Sequence, residues 1–263
     1  MSAETYYRDH WLDIDPERVE GYEEMFRWRP EMAALLAPAE IEPGQTVVDY
    51  GCGPGMLSIE LARRVGDRGR VHGVDINAMF LERAAKNAAA EDLGDRIAFH
   101  RIESTELPLE DASVDRIICK NVLEYVDDIG ATFLEFRRAL KPGGCVHAID
   151  SDWGMLVVEP IGADRLAQIF SAASIAYKTP LVGRQLYGLM RTAGYQNVRV
   201  KMVAGPDTKG YAAPILFNMA KYARDSGRIE EATIAAFVDD VRTAIDAGTY
   251  MLVLPQFLVT GFA

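Results

Sequence analysis

The chain has 263 residues, of which 49% are hydrophobic and 25% are charged, a balance typical of globular proteins and not of disordered ones. This length fits one or two domains, and we expect one core with an elaboration. The formal net charge is −11. Proteins that bind nucleic acids or anionic membranes attract phosphates with Lys and Arg, so this charge argues against both kinds of partner.

The first residues, MSAETYYRDHWLDIDPE, lack the positive and apolar regions of a secretory signal, and no apolar run approaches about 18 residues. We therefore expect a cytoplasmic protein without a membrane span. Cys52, Cys119 and Cys145 are far apart along the chain, so we expect them in the core and predict neither disulfides nor a zinc site. The four histidines form no metal-binding motif, and no metal ion is expected.

Apolar and aromatic residues recur at helical spacing over residues 5–36, which predicts helices with Pro16 and Pro30 as starts or breaks. Strands and helices then alternate over residues 44–150. The predicted strands lie in TVVDYGCGPG, which ends in a glycine turn, and in RGRVHGVDI, DRIAFHRI, SVDRIICKNVL and CVHAIDS. The predicted helices are MLSIELARRV, NAMFLERAAKNAAAEDL and IGATFLEFRRALKPGG, the last with a Lys-Pro-Gly-Gly exit. This alternation predicts right-handed βαβ units and one doubly wound core with a parallel sheet.

The pattern loosens after residue 150. It predicts helices for ADRLAQIFSAASIAYK and GRQLYGLMRTAGY, a sixth strand for QNVRVKMVA, and two further helices within residues 211–247. The last strand lies in PQFLVTGF and is predicted to begin near Gln256, because a central strand rarely tolerates a proline such as Pro255. The surplus helices are expected around the crevice at the carboxyl ends of the strands, where open α/β sheets bind ligands.

The strongest functional signal is VVDYGCGPGMLSIELA, residues 47–62, which joins a strand to a helix through a Gly-x-Gly-x-Gly turn. Gly51, Gly53 and Gly55 allow backbone conformations that other residues avoid and let a ligand touch the main chain. Asp75 ends the second strand, 20 residues after Gly55. An acid at this place in such a fold accepts hydrogen bonds from ribose hydroxyls, so a cofactor that contains ribose is predicted.

Two classes of cofactor use such an acid. A nicotinamide dinucleotide favours the pattern GxGxxG, but the sixth position here is Met56. Asp49, at the end of the first strand, would also place a negative charge close to a pyrophosphate, and it suits a cationic amino-acid ligand better. These departures favour S-adenosylmethionine, which carries an ammonium group, a sulfonium and no phosphate.

Through these motifs, residues 44–150 resemble the class I S-adenosylmethionine-dependent methyltransferases. VVDYGCGPG is similar to their glycine-rich motif and VHGVDIN to their ribose-binding stretch. IESTELPLEDASVDRIICKNVLEYV is similar to the region that joins strands three and four in the small-molecule branch, and ALKPGG to the loop before strand five. The core looks most similar to the C-methyltransferases of quinone and natural-product biosynthesis.

The expected fold class is α/β, with a doubly wound, mostly parallel seven-stranded sheet whose last strand is antiparallel, plus a helical lid and helical insertions. Residues 1–40 are expected to form the N-terminal helical lid. Residues 41–263 are expected to form a Rossmann-like methyltransferase domain, with substrate-cap insertions at about 155–180 and 211–247.

The resemblance also implies contacts with the cofactor. Asp49 is expected to hold the methionine amino group, directly or through water, Asp75 to take the ribose hydroxyls, and Ile76 to pack on adenine. The other implied contacts, beside the adenine, along the methionine portion and in the glycine turn, are Glu103, Ser104, Asn121, Gly51, Gly53 and Gly55. Ordinary alternatives stay open, since the two aspartates also fit strand ends or helix caps, Glu103 a surface acid and Asn121 a turn.

Aromatic residues crowd the N-terminal segment and are predicted to close over the cofactor, with a Tyr hydroxyl or Arg29 reaching its carboxylate. Aromatic residues at helical spacing also fit simple packing. Further side chains are expected to contact the methyl acceptor. These candidates are Tyr6, Trp11, Tyr125, Asp150, Trp153, Tyr177 and Tyr187. Turn formation and ordinary core packing are the alternatives for them.

Methyl transfer is an in-line displacement in which the cofactor supplies an activated methyl group while the protein aligns the reactants and excludes water. An ionisable nucleophile also needs a general base. The candidates for that role are Tyr7, Glu124 and Asp152, with His10 and Asp150 as further choices. No partner pattern in the sequence singles out one of them.

We expect methylation of a small aromatic or hydrophobic acceptor, with S-adenosylhomocysteine as the second product. C-methylation is favoured, and an indole-type carbon in natural-product biosynthesis is the narrower hypothesis. The segment KNVLE after the fourth strand lacks the DPPY or NPPY motif of enzymes that methylate amino groups of bases or glutamine. The alternatives are O- or N-methylation of a small molecule, a nicotinamide oxidoreductase and a non-catalytic cofactor-binding module. A homodimer is compatible with the aromatic helices.

Overall fold

The computed structural model describes residues 4–12, 14 and 16–263. Residues 1–3, 13 and 15, which belong to the lid expected from the sequence, lie outside the described residues. The strands are β1 (Thr46–Tyr50), β2 (Arg70–Asp75), β3 (Ile97–Arg101), β4 (Val114–Lys120), β5 (Leu140–Ser151), β6 (Val157–Glu159), β7 (Gln196–Val203), β8 (Met251–Val253) and β9 (Gln256–Phe262).

Seven of these strands form one sheet in the order β3-β2-β1-β4-β5-β9-β7. The first five pair in parallel, whereas β9 runs antiparallel to β5 on one side and to β7 on the other. The expected fold class is therefore confirmed, and β9 begins at Gln256 as predicted. Immediately before it, β8 pairs with β6 in a separate antiparallel ribbon.

The helices are α1 (Tyr6–Leu12), α2 (Pro16–Phe26), α3 (Ala33–Leu36), α4 (Met56–Val65), α5 (Ala78–Ala90), α6 (Ile129–Ala139), α7 (Ala163–Ala173), α8 (Val182–Thr192), α9 (Ala213–Ser226) and α10 (Glu231–Asp246). Asn77 caps α5 by accepting a hydrogen bond from the Phe80 backbone at 3.0 Å, as its side chain predicts. In the described residues between β3 and β4, a loop without a helix makes the connection.

The central strands β1, β4 and β5 are buried on both faces, as in other parallel sheets. Val48 and Ile117 face one hydrophobic cluster, and Val47 and Ile118 face another on the opposite side. Because side chains alternate along a strand, the apolar runs of the sequence fill both clusters. The carboxyl ends of these strands therefore emerge together at one edge of a well-packed sheet.

A third cluster lies beyond that edge and is built mainly from α7, α9, α10 and the β6–β8 ribbon. Tyr6 of α1 belongs to it. The N-terminal helix α1 is thus packed between this helical cap and the ends of the parallel strands. A small cluster that includes Tyr22 of α2 and Phe80 of α5 anchors the next helix. The domain limits expected from the sequence stay predictions, but these contacts place the helices where a cover of the crevice would lie.

Candidate cofactor and active site

A cavity of about 240 Å³ lies at the carboxyl ends of β1, β2 and β4. Its floor is the glycine turn after β1, and its roof comes from the N-terminal helices. Its walls include the following residues: Arg8, Trp11, Phe26, Trp28, Asp49, Gly51, Gly53, Asp75, Ile76, Ile102, Glu103, Ser104, Lys120, Asn121, Tyr125 and Asp127. We call this space the central cavity.

The glycine turn has the shape that only glycine allows at two positions. Gly51 has a φ of +73°, and a Cβ there would lie 2.8 Å from Cγ1 of Val122. Gly55 has a φ of +83°, and a Cβ there would lie 3.1 Å from the Cα of Ala84 in α5. Gly51 and Gly53 line the cavity. Gly55 does not, so its position supports close packing of the turn on α5 and no direct contact with a ligand.

Asp75 fastens this turn to the end of β2. Its Oδ2 accepts a hydrogen bond from the Gly53 backbone at 2.8 Å, and its Oδ1 accepts one from the Asn77 backbone at 2.9 Å. Burial raises the pKa of Asp75, while these backbone donors act in the opposite direction. A carboxylate has about four acceptor positions, so Asp75 keeps capacity for a ligand on the cavity side.

Asp49 lines the cavity from β1 and is 1% exposed. Its Oδ2 accepts a hydrogen bond of 2.6 Å from the Ser58 hydroxyl. Burial raises the pKa of Asp49 to about 7, and the charge of Asp75 acts in the same direction. A buried carboxyl without a cation beside it has a strong tendency to stay protonated, so a cationic ligand group would favour its ionised form.

The residues expected beside adenine lie together at one end of the cavity. Ile76 and Ile102 provide apolar surface, while Glu103 and Ser104 are more exposed at the rim. Glu103 forms an ion pair of 3.6 Å with Arg101 across an open surface. The Ser104 hydroxyl accepts a hydrogen bond of 3.2 Å from the Glu106 backbone. This end can enclose a flat ring with polar edges.

Asn121 lies where β4 leaves the sheet and has a φ of +56°. Its backbone donates to the Ile149 carbonyl at 2.8 Å, and its Oδ1 accepts from the Gln256 side chain at 2.9 Å. Asn tolerates this left-handed conformation better than most residues. Asn121 therefore fits both the turn alternative and a place in the cavity wall, which it lines.

The N-terminal helices are fixed over the cavity by polar contacts with α5. The carbonyl oxygen of Trp11 accepts a hydrogen bond of 2.6 Å from Asn77 Nδ2. Glu23 of α2 accepts two hydrogen bonds from Arg83, at 2.6 and 2.7 Å, and one from Asn87 at 2.6 Å. Phe26 then lies against the turn and lines the cavity.

Other N-terminal candidates have structural partners. The Tyr6 hydroxyl donates to Asp225 in the cap, and the Tyr7 hydroxyl donates to Asp127, which lines the cavity. His10 is buried, and this burial lowers its pKa to about 4. Within the described residues its Nε2 has no hydrogen-bond partner. Arg29 is exposed and does not line the cavity, so its position does not support the expected contact with a carboxylate.

Three acids at or beyond the ends of β4 and β5 are buried but lie outside the cavity lining, namely Glu124, Asp150 and Asp152. Asp150 accepts hydrogen bonds of 3.0 Å from the backbones of Leu123 and Ser151, and burial raises its pKa to about 7. Glu124 accepts from the Trp153 indole, and burial raises its pKa well above the usual range.

Asp152 accepts from Arg184 through both oxygens and from the Gly154 backbone at 3.0 Å. Together with the contacts of Asp150 and Glu124, these bonds support structural roles instead of the expected contacts with reactants.

The aromatic acceptor candidates divide into three groups. Trp11 and Tyr125 line the cavity, and their rings lie 5.0 Å apart. Trp153 and Tyr177 are buried in the cap cluster, 4.9 Å apart, with Tyr177 stacked on Tyr125. Tyr187 is 49% exposed on α8 and lies outside the cavity, so its position does not support the expected role as a pocket wall.

Several lining residues were not singled out from the sequence, notably Lys120, Arg8 and Asp127. A charged residue at a strand end or in a helix resembles an ordinary solvated side chain, so the sequence carried no signal for them. The aromatic spacing that drew attention to α1 and α2 did indicate Phe26 and Trp28. Burial of Lys120 becomes visible only when β4 is placed beside β1.

A family model described as "methyltransferase domain" matches residues 41–196. The 2-phytyl-1,4-naphtoquinone methyltransferase of Trichormus variabilis is 36% identical over 140 residues, which cover 53% of this chain and 56% of that protein. The demethylmenaquinone methyltransferase of Desulfitobacterium hafniense is 34% identical over 47% of each chain. The chain thus spans about half the length of the curated relatives it matches.

Two solved structures illustrate the similarity of fold. The phosphoethanolamine N-methyltransferase 2 of Haemonchus contortus, in complex with S-adenosyl-L-methionine, aligns with a TM-score of 0.66 at 17% identity, covering 97% of this chain and 59% of that one. The geranyl diphosphate C-methyltransferase of Streptomyces coelicolor aligns with a TM-score of 0.55 at 19% identity, covering 88% and 74%. Within the described part of the chain, none of the helices is both long and apolar enough to cross a membrane.

Proposed function

The chain belongs to the family of methyltransferase domains, and we propose that it transfers a methyl group from S-adenosylmethionine to a carbon of a small hydrophobic acceptor. The family expected from the sequence motifs is thereby confirmed. The observation that carries the proposal is the central cavity, in which Asp49 and Asp75 flank the glycine turn. The negative charge of Asp49 would repel a pyrophosphate bound there. In contrast, an ammonium group suits Asp49 and ribose hydroxyls suit Asp75.

The cavity residues fit this cofactor along its length. Asp49 would bind the amino group and Asp75 the ribose hydroxyls, while Ile76 and Ile102 would enclose adenine. The backbone of the glycine turn would lie against the ribose and the sulfur. When bound, the cofactor supplies a sulfonium that makes its methyl group electrophilic.

The roof of the cavity would exclude water and receive the acceptor. Trp11, Phe26, Trp28 and Tyr125 give this part of the cavity an aromatic wall. Aromatic walls bury large apolar area at low entropic cost and suit flat or hydrophobic ligands. An acceptor held there would approach the methyl group from the side opposite the sulfur, the alignment that an in-line displacement needs.

Methylation at carbon also requires loss of a proton from the acceptor. Among the acid–base candidates from the sequence, Tyr7 has a contact that reaches the cavity, through its hydrogen bond to Asp127. We therefore assign the Tyr7–Asp127 pair to this step, with the Asp127 carboxylate as the proton acceptor. Glu124 and Asp152 are buried outside the cavity lining.

The choice of acceptors follows the names of the similar proteins. Two curated relatives are named for methylation of a naphthoquinone and of demethylmenaquinone, and one similar structure for C-methylation of geranyl diphosphate. Reduced naphthoquinones are therefore the first acceptors to test, followed by indoles. N- and O-methylation of amines and phenols are the competing outcomes of the same screen.

The proposal is tested by binding and then by turnover. Calorimetry should show micromolar binding of S-adenosylhomocysteine and none of NADH, and Asp75→Ala should weaken binding about tenfold or more. Incubation with labelled S-adenosylmethionine and each acceptor should then yield a methylated product whose carbon attachment is read by NMR. Binding of NADH instead, or of neither ligand, would overturn the proposal. Binding without turnover of any acceptor would favour a non-catalytic module.

Two finer expectations belong to this proposal. A homodimer is supported by exposed apolar side chains such as Leu134 and Met202, and light scattering at several concentrations tests it. A cytoplasmic location is supported by the free, buried state of Cys52, Cys119 and Cys145, and cell fractionation tests it.

A further inference from the structure

We infer that His10 and Trp11 form a polar subsite for a hydroxyl group on the methyl acceptor. The hydroxyl would donate a hydrogen bond to Nε2 of His10 and accept one from Nε1 of Trp11. This inference rests on the proposed function and narrows it, because it selects hydrophobic rings that bear a hydroxyl group. It adds a hydrogen-bonding role to Trp11 of the aromatic wall and gives His10 a role in recognition.

The first argument is that both ring nitrogens are buried without a partner. Among the residues that the structure describes, three buried side-chain nitrogen or oxygen atoms make no hydrogen bond, and two of them are His10 Nε2 and Trp11 Nε1. The whole His10 residue is only 3% exposed. A buried polar atom without a hydrogen bond is costly and rare. Two of them on consecutive residues of one helix therefore indicate a place for a polar group of a ligand.

The second argument is the kind of hydrogen bond that each nitrogen can make. Nδ1 of His10 lies 2.5 Å from the carbonyl oxygen of Tyr6, and a carbonyl only accepts, so Nδ1 carries the proton. Burial lowers the pKa of His10 to about 4, which leaves the ring neutral at pH 7 and makes Nε2 an acceptor. The indole nitrogen of Trp11 is only a donor. An acceptor and a donor on neighbouring rings complement a hydroxyl group, which both donates and accepts.

The third argument is the position of the two rings at the roof of the central cavity. Trp11 lines the cavity, and the ring centroids of His10 and Trp11 are 5.0 Å apart. Tyr7 precedes His10 by three residues and Trp11 by four, so the three side chains are neighbours on one side of α1. The Tyr7 hydroxyl donates to Asp127 in the cavity wall. The subsite therefore lies beside the pair to which we assign the proton transfer.

The surroundings of His10 favour a neutral aromatic acceptor. Tyr6 stacks on the His10 ring at 5.1 Å, and Tyr222 lies 5.0 Å away. Trp11 and Tyr125 are the cavity-lining residues whose rings contact His10, at 5.0 and 5.9 Å. An acceptor therefore reaches Nε2 when these two rings move apart. A neutral imidazole among aromatic rings suits a flat ring with a hydroxyl group and disfavours an unpaired charge.

The experiment compares three naphthalenes that differ at one substituent, in the presence of saturating S-adenosylhomocysteine. 1-Naphthol can donate and accept a hydrogen bond, 1-methoxynaphthalene can only accept one, and naphthalene can do neither. In calorimetry, 1-naphthol should bind about tenfold more tightly than 1-methoxynaphthalene. His10→Phe should abolish this difference and leave the affinity for 1-methoxynaphthalene within about twofold. His100→Phe, which replaces a histidine of β3 outside the cavity lining, is the matched control and should preserve the difference.

Trp11→Phe tests the donor separately. The unaltered protein should prefer 1-methoxynaphthalene to naphthalene, because the ether oxygen can accept the hydrogen bond of the indole. Trp11→Phe should remove that preference, while 1-naphthol keeps its advantage over 1-methoxynaphthalene through His10. A loss that is equal for all three ligands would show only that the larger ring contributes apolar contact, and it would contradict the role of the indole nitrogen.

The other results also decide. Equal weakening of all three ligands by His10→Phe would assign His10 a structural role and overturn the inference. If His10→Phe does not fold, the unaltered protein decides, because equal affinity for 1-naphthol and 1-methoxynaphthalene contradicts the inference. If S-adenosylhomocysteine binds but none of the naphthalenes does, the inference fails and the cofactor part of the proposed function stands. If S-adenosylhomocysteine itself does not bind, the proposed function fails.

Discussion

Gly51 and Val122 approach so closely that a methyl group on Gly51 would lie 2.8 Å from Cγ1 of Val122 and closer still to Cγ2. The φ of Gly51 is also +73°. Gly51→Ala should therefore destabilise the fold by about 1–2 kcal/mol through the left-handed backbone and by about 1–3 kcal/mol more through overpacking. Urea unfolding measures the loss, and calorimetry should show much weaker binding of S-adenosylhomocysteine.

Gly227→Ala separates the two contributions to this loss. Gly227 ends α9 with a φ of +62°, but no atom lies within 4 Å of the position of an added Cβ. Gly227→Ala should lower the free energy of unfolding only by the cost of the left-handed backbone, and it should leave cofactor binding unchanged. The double variant Gly51→Ala/Val122→Ala should regain part of the stability. If Gly51→Ala and Gly227→Ala lose equal amounts of unfolding free energy, the overlap with Val122 is contradicted.

The affinity for S-adenosylhomocysteine should depend on pH through Asp49. Its carboxyl has a pKa of about 7 in the unliganded protein because it is buried. An ammonium ligand binds the ionised form, so affinity should rise with pH and level off above about 7. Between pH 7 and pH 5.5 the affinity should fall by roughly fifteenfold in total, as the ionised fraction of Asp49 falls. Asp49→Asn should bind weakly with little pH dependence over this range, and an unchanged slope in that variant would assign the titration to another group.

The Asp49 carboxyl should also lower the stability of the folded protein at alkaline pH. A folded-state pKa raised from 3.8 to about 7 means that the folded protein holds this proton more tightly than the unfolded chain does. The stability contribution is thus present at low pH and is lost as pH rises through about 7. Asp49→Asn should raise the Tm of the unliganded protein at pH 8 by several degrees and raise it less at pH 5. A Tm gain of equal size at pH 5 would contradict this explanation.

Asp152 should prove structural, although its sequence position suggested an acid–base role. Its carboxylate is fully buried and binds Arg184 and the Gly154 backbone. Asp152→Asn should lower the Tm by several degrees because the ion pair is lost, while the kcat of the folded fraction stays within about twofold. Arg184→Gln should act similarly, and the double variant should add little because the residues share one interaction. A drop in kcat at unchanged Tm would instead restore the catalytic hypothesis.

The sequence predicted those parts of the site that depend on local patterns. Apolar runs located the strands, and the turn chemistry of Gly51 together with the position of Asp75 located the cavity. It did not predict how the buried acids are used, because one of the two backbone donors that bind Asp150 comes from a distant segment at Leu123. Lys120 was missed for a similar reason, since its place in the cavity wall depends on the neighbouring strand.

Tyr187 is a different case, because the local pattern of α8 is sufficient to place it on the helix surface. Val182, Leu186 and Met190 recur every four residues and form the buried face of α8. Tyr187 is one residue, about 100° around the helix, from Leu186, and it lies on the exposed side. The helical pattern therefore favours a surface position for Tyr187 over a contact with the acceptor.

The cover formed by α1 and α2 should loosen when Glu23 is replaced, because Glu23 binds both Arg83 and Asn87 of α5. Glu23→Ala should speed trypsin cleavage within residues 16–27 several-fold. It should also weaken the binding of S-adenosylhomocysteine, since Phe26 of α2 lines the cavity. Adding the ligand should slow cleavage in the unaltered protein, because binding stabilises the closed form. The adjacent Glu24→Ala is the matched control, since Glu24 pairs with Arg27 on the exposed side of the same helix. If both variants are cleaved and bind ligand alike, the contacts of Glu23 with α5 do not hold the cover in place.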